Sequence, residues 1–235
     1  MRGQSTALAI FVKTPGLSEV KTRLARGLGK PLATEFHRRA AAAVAGVARS
    51  AMALIMPYWA VAEQGGLQDP LWITFPTLWQ GNGGLADRLH TIYAELLTRH
   101  GRVLLIGADA PQITVTLLSR AASFLATDKI QYVLGPARDG GFWLFGGNAP
   151  VPEDIWHHVP YSQSDTGQRL ADAIRPLGAL ELLRTLTDTD VADDLPLLLS
   201  ELSVLDGMSS EQAILASWLS SLPAETARVT AEPTA

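Results

Sequence analysis

Hydrophobic and polar positions alternate along this chain in blocks. A continuous apolar run from Ala7 to Val12 has no polar face, and 6–12 reads as a short buried strand. The Ala-rich segment 31–54, unbroken by proline after Pro31, predicts a helix. Residues 58–63, YWAVAE, predict a second strand; 72–80 is β-branched and aromatic, with Pro76 weighing against a central place in a sheet. Leu85, Leu89, Ile92, Tyr93 and Leu96 fall at helical spacing within 85–100. The stretch 102–107 is apolar from Val103 on, as in a central parallel strand, and a helix is expected at 114–126. Strands at 131–137 and 142–147 flank the turn signal Arg-Asp-Gly-Gly at 138–141, which predicts a hairpin. A helix at 164–175, a final strand at 180–188 and two closing helices at 191–202 and 209–222 complete the pattern. With no internal repeat or interdomain linker, one domain over 1–222 and a flexible tail at 223–235 are expected.

Alternating strands and helices imply an α/β fold, a mainly parallel sheet covered on both faces, made mixed by the one hairpin. Ligands of such sheets bind beyond the carboxyl ends of the strands. That rule nominates the loops 13–22, 80–84, 107–112 and 188–194, with the turn 138–141 as a fifth.

Composition narrows the classes. The 235 residues are 47% hydrophobic and 18% charged, enough for a full core, and the net charge of −4 argues against a protein that wraps nucleic acid through a broad cationic face while leaving room for a local cationic pocket. Without cysteine there is no disulfide, thiolate zinc site or Cys nucleophile, so a metal would be held by oxygen or imidazole. No run approaches the roughly 18 apolar residues of a transmembrane helix. The first apolar run is too short for a signal-peptide core and leads into Lys-Thr-Pro, so a cytoplasmic location is expected.

The first loop gathers Lys13, Lys21 and Arg23 around Pro15 and Gly16. Free backbone N–H groups before a helix, with cations beside them, suit a phosphate; ordinary lysines on a solvated loop are the other reading. The loop carries neither GxxxxGK[ST] nor GxGxxG. Asp109 stands directly past a strand end, where a carboxylate holds a divalent cation or a ribose hydroxyl, or else begins a turn; Thr114 is the better cap for the helix that follows. Asp139-Gly140-Gly141 is above all a turn sequence. Of the four aspartates in 187–195, Asp193 and Asp194 suit a first helical turn, whereas Asp188 and Asp190 precede it and offer a second metal ligand. His157-His158 lacks a partner at metal-binding spacing and reads as surface or pocket rim. No GxSxG elbow exists, and the Trp residues are assigned to core and pocket walls.

Taken in order, FVKTPGLSEVKTRL, GGLADRL, LIGADAP, VLGPARDGGFWLFG and LTDTDVADDL resemble the DUF2064 family of bacterial proteins, over about residues 6–196. That family is placed in the GT-A, or nucleotide-diphospho-sugar transferase, superfamily, and some members are labelled arsenosugar-biosynthesis glycosyltransferases. The resemblance implies a Rossmann-like three-layer sandwich, with a mostly parallel mixed sheet and one antiparallel hairpin strand. Its layout looks like that of the molybdenum-cofactor and lactyl-phosphate nucleotidyltransferases. It implies binding of a nucleotide-sugar or NTP with Mg²⁺ or Mn²⁺, and a small-molecule acceptor. Residue by residue, it implies Lys21 and Arg23 on phosphate, Asp109 as metal ligand, and Asp190 as second ligand at the end of a neighbouring strand. Lys13, Pro15, Gln80 and Arg88 join the expected nucleotide side; Gly140, Gly141, Trp143 and Tyr161 the acceptor side; Asp109, Lys21 and Asp139 the catalytic set. The chain departs from the family pattern at Gly84, Ala86, Ala108 and Ala110, and has Phe142-Trp143 where tyrosines are usual. The expected reaction is metal-dependent glycosyl transfer from a nucleotide-diphospho-sugar. Nucleotidyl transfer to a phosphorylated or carboxylate acceptor, and nucleotide binding without catalysis, are the alternatives. The sequence leaves the oligomeric state open.

Overall fold

The computed structural model describes residues 5–223. The expected tail, apart from Pro223, lies outside them. The elements run β1 (Thr6–Val12), α1 (Thr22–Leu28), α2 (Lys30–Ser50), β2 (Ile55–Val61), β3 (Thr77–Trp79), α3 (Leu85–His100), β4 (Val103–Gly107), α4 (Val115–Leu125) and β5 (Gln131–Pro136). They continue with β6 (Phe142–Gly147), α5 (Glu153–His158), α6 (Thr166–Ile174), β7 (Ala179–Leu182), α7 (Leu195–Ser203) and α8 (Ser210–Ser221).

The strands form one seven-stranded sheet in the order β3-β2-β1-β4-β6-β5-β7. Only β6 runs antiparallel, pairing with β4 on one side and β5 on the other. The fold is thus mixed α/β, mostly parallel with the expected hairpin. β1 alternates its faces: Leu8, Ile10 and Val12 pack under α2 and α4, while Ala7 and Ala9 pack under α3 and α6. A third apolar cluster joins α1, α2, α7 and α8 through Leu24, Phe36, Leu198 and Leu215. Among the described residues no helix is long and apolar enough to cross a membrane.

Several expected bounds shift, each for a local reason. The helix expected over 31–54 ends at Ser50, because the chain must turn before Ile55 can pair with Thr6 in β2. The segment 72–80 is strand only at Thr77–Trp79: a 3-10 turn occupies Pro70–Trp72 and Pro76 bars an earlier start, leaving β3 as the edge strand its proline suggested. The strand expected at 180–188 stops at Leu182, after which only isolated links to β5 persist, such as Leu186 N–H to the Pro136 carbonyl at 3.1 Å. Two helices were not expected. α1 and α5 span 7 and 6 residues, too few for a periodic pattern.

Candidate functional site

The site is assembled past the ends of β1 and β4. Leaving β1, the chain folds into a turn in which the Thr14 amide donates to Glu63 Oε2 at 2.8 Å and Trp72 Nε1 donates to Thr14 Oγ1 at 3.0 Å. That turn holds Pro15 and hands the chain to Lys21, which caps α1 in the left-handed region at φ 49°. A side chain pays about 1–2 kcal/mol to sit there. The compensation is electrostatic. Lys21 Nζ lies 2.9 Å from Asp109 Oδ1 and 3.4 Å from Asp190 Oδ1, and it donates to the Thr189 carbonyl at 2.6 Å. Arg23 reaches Asp190 Oδ2 at 2.8 Å from the solvent side.

Asp109, Asp188 and Asp190 bring one carboxylate oxygen each within 4.8 Å of one another. Asp188 Oδ1 is buried with no hydrogen-bond partner among the described residues. Burial first, then the charges of Asp109 and Asp190, push the Asp188 carboxyl up to about 8 although Lys21 pulls the other way. Burial also works against the Lys21 ammonium, but Asp109, Asp188 and Asp190 outweigh it and hold its pKa above the ordinary lysine value. Three carboxylates, one with an orphaned oxygen, are an all-oxygen donor set suited to a hard divalent cation, so the residues present fit Mg²⁺ or Mn²⁺.

Asp190 arrives by a route the sequence did not suggest. β4 and β7 are not neighbours; β6 and β5 lie between them. Past β7 the chain swings back across these strand ends until the Thr189 amide donates to the Asp109 carbonyl at 3.2 Å. Asp194 then pins the turn, accepting from the amides of Asp190 and Val191 at 2.8 Å each. Behind it, Glu201 of α7 ties three loops together. It accepts from Gln112 Nε2 at 2.8 Å and Thr187 Oγ1 at 2.9 Å, and faces Arg138 Nε at 3.4 Å.

A cleft of about 1040 Å³ opens over this cluster. Lys13 and Arg88 line it, and Arg88 also donates to the Gly83 carbonyl at 3.2 Å. Gln80 touches the cleft, but its amide is spent inside the sheet on the carbonyls of Val12 and Ala60, at 3.2 and 2.8 Å, so it ties strand ends together. Pro15, Gly140 and Gly141 lie outside the lining. Asp139 does line it, while also accepting from the Gly141 amide at 2.9 Å, so it both closes the turn and faces the cleft. Gly140, at φ 88°, is required there, because a Cβ would overlap the Ser164 carbonyl. Trp143 is a buried wall whose indole donates to the Arg184 carbonyl at 3.1 Å. Tyr161 lines the cleft as well. Thr114 caps α4, which removes that role from Asp109, and Ala108 and Ala110 are buried against the core.

Sequence reasoning did not settle on Asp188, although its spacing to Asp190 puts both on one side of an extended chain. It passed over His37, buried in α2 with Nε2 at 2.9 Å from the Lys13 carbonyl, and Glu201, whose contacts are all long-range. His157-His158 ends α5 away from the cleft lining, with His157 Nε2 at 3.5 Å from Asp87.

A family model described as "Uncharacterized protein conserved in bacteria (DUF2064)" matches residues 43–163, just over half of the chain. The chain belongs to the DUF2064 family. The matched span holds Asp109 and Asp139 but neither Lys21 nor Asp190. No match is found among curated proteins. The fold of this DUF2064 protein is similar to that of a candidate nucleotide-diphospho-sugar transferase from Desulfovibrio desulfuricans, 23% identical, with a TM-score of 0.77 over 90% of this chain and 94% of that one. Rv0371c from Mycobacterium tuberculosis is 16% identical with a TM-score of 0.53, covering 85% of this chain and 100% of that one. The 4-diphosphocytidyl-2C-methyl-D-erythritol synthase of Anaerococcus prevotii is 7% identical with a TM-score of 0.51, covering 92% and 99%. At these identities the likeness is one of fold.

Proposed function

We propose that this DUF2064 protein is a cytoplasmic, divalent-cation-dependent transferase that moves a glycosyl group from a nucleotide-diphospho-sugar to a small acceptor. The observation that carries the reading is the cluster of Asp109, Asp188 and Asp190 beside Lys21 and Arg23, on the floor of a cleft at the strand ends. The fold likeness to the Desulfovibrio protein supports it.

Asp109, Asp188 and Asp190 would hold Mg²⁺ or Mn²⁺, which when bound neutralises charge on the diphosphate. In the reaction, the acceptor oxygen bonds to the anomeric carbon as the bond from that carbon to the β-phosphate oxygen breaks. The electron pair leaves with the nucleoside diphosphate, and the acceptor proton passes to a carboxylate, for which Asp139 is placed. Arg23, on the solvent side of the cluster, and Lys13 and Arg88 on the cleft wall face the phosphates. Lys21 acts chiefly on the aspartates, holding the two distant loops together while the cleft is formed.

Nucleotidyl transfer is the second reading, favoured by the fold likeness to the Anaerococcus synthase. Calorimetric titration with nucleotide-sugars and NTPs, with and without Mn²⁺, separates the readings, with released nucleoside diphosphate or pyrophosphate as product readout. Glycosyl transfer predicts Mn²⁺-dependent binding of a nucleotide-sugar, lost in Asp109→Ala and kept in Asp193→Ala. Equal binding by Asp109→Ala and wild type would sink the metal assignment and leave nucleotide binding without catalysis.

A further inference from the structure

Among the described residues, Lys13, Lys21, Arg23 and Arg88 are the lysines and arginines of the cleft lining, and they come from the first loop, α1 and α3. Asp139, Phe142, Tyr161, Ser162, Gln163 and Ser164 form another part of it, joined where Gly140 packs against Ser164. This part has one carboxylate, two aromatic rings and uncharged polar groups. The nearby arginines are committed elsewhere, Arg138 to Glu201 at 3.4 Å and Arg169 to Asp165 at 2.7 Å. The N-terminus of α6 is also spent: the Thr166 amide donates to the Gln163 carbonyl at 3.2 Å and the Gly167 amide to the Gly140 carbonyl at 2.8 Å. Among the described residues no lysine or arginine pairs with Asp139, which repels an anion.

The same part has groups that await a neutral partner. Tyr161 carries a buried hydroxyl with no hydrogen-bond partner among the described residues. Asp139 makes one protein hydrogen bond, through Oδ1, which leaves Oδ2 to accept another. Ser162 is held in the left-handed region at φ 62°, a strained conformation of the kind that gathers at binding sites. Phe142 is partly buried and offers a ring face beside them.

We infer that this part of the cleft binds a neutral, hydroxyl-bearing acceptor and rejects phosphomonoesters and carboxylates. One hydroxyl donates to Asp139 Oδ2, a second oxygen accepts from Tyr161, and the carbon skeleton lies on Phe142. A site built around hydrogen bonds of this kind discriminates strongly against a ligand that leaves them unpaired. The inference rests on the transferase reading above and sharpens it, because nucleotidyl transfer needs a phosphate or carboxylate acceptor.

The test uses the full chain with inorganic pyrophosphate and Mn²⁺ present to occupy the aspartate cluster and the lining cations. Neutral polyols and methyl glycosides are titrated beside their phosphorylated and carboxylate counterparts. Binding is read from the ring resonances of Tyr161, identified by their loss in Tyr161→Phe. Neutral members should perturb Tyr161 and bind at least about tenfold more tightly than their anionic counterparts, a margin that Asp139→Asn reduces. Anionic members that bind equally or better at Tyr161 overturn the inference, and so does a failure of both sets to perturb it. If pyrophosphate and Mn²⁺ themselves do not bind, the transferase reading fails separately, and the Tyr161 titration still reports the preference around Tyr161 without them.

Discussion

Lys21 neutralises carboxylates that reach it from two other loops, so its loss is felt by the fold as well as by a ligand. Its side chain is only 5% exposed, against 38% for Asp109 and 34% for Asp190. Removing one partner from a buried charge cluster costs about 3–5 kcal/mol, and the part-exposed aspartates place Lys21→Ala near the lower bound, about 3 kcal/mol. Urea denaturation measures it; an unchanged midpoint would show that the aspartates do not need the ammonium. His37 gives a pH signature. Burial lowers its pKa below the usual histidine value, with Lys21 acting in the same direction and Asp109, Glu63 and the Lys13 carbonyl opposing. Between the lowered folded value and the unfolded value near 6.5, the unfolded chain binds the extra proton. This contribution to stability is therefore present above about pH 6.5 and is lost as pH falls from there through the lowered folded value. The Asp188 carboxyl, pushed up to about 8, acts in the opposite sense: the folded chain binds its extra proton, and that contribution is lost as pH rises through about 8. His37→Gln should reduce the loss of stability below about pH 6.5, leaving the slopes of Asp188 and of His100, the latter lowered by burial and by Arg99.

Among the elements, α7 has the widest reach, since Glu201 holds the loops that carry Asp109, Asp139 and Asp188. Glu201→Ala should cost about 2 kcal/mol, the range for hydrogen bonds to a charged group, and should weaken Mn²⁺ binding in the same titration. Glu181→Ala, which breaks the surface pair with Arg120, should cost less than about 1 kcal/mol and leave Mn²⁺ binding unchanged. Equal effects of the two would show that Glu201 does nothing for the site. The limits of sequence reading also lie at this scale. Continuous apolar runs such as β1 and β4, and the helical spacing of α3, were legible because burial on both faces, or on one stripe, leaves a periodic trace. The six residues of α5 leave none. Aspartates past strand ends marked Asp109 and Asp190, and the structure brings the two together around Lys21. Which strands neighbour each other was not legible, because the return of 183–189 across two strand ends depends on backbone bonds such as Thr189 to Asp109, which carry no residue signature.

At the scale of the whole molecule, α2 serves two apolar clusters: Ala41 and Val44 face the sheet, whereas Phe36 and Ala40 face α7 and α8. A helix shared in this way couples both clusters into one unit. Scanning calorimetry should therefore record a single transition for the proposed 1–222 domain. Leu198→Ala, at a fully buried position in α7, should lower that transition by about 2–5 kcal/mol without splitting it. Two resolved transitions would divide the domain.

The third place of β1 in the sheet order has a further consequence, for synthesis on the ribosome. The strand made first is hydrogen-bonded on both edges in the finished protein, to β2 and to β4, and β4 begins only at Val103. Asp190, a partner of Lys21, lies 169 positions after it. At about 5–20 residues per second, roughly ten to thirty seconds separate the two residues' appearance. During that interval a native-like sheet can form as far as β6 while Lys21 has Asp109 alone to face. A nascent chain stalled before Asp188 would therefore carry much of the sheet and only one of the three clustered carboxylates.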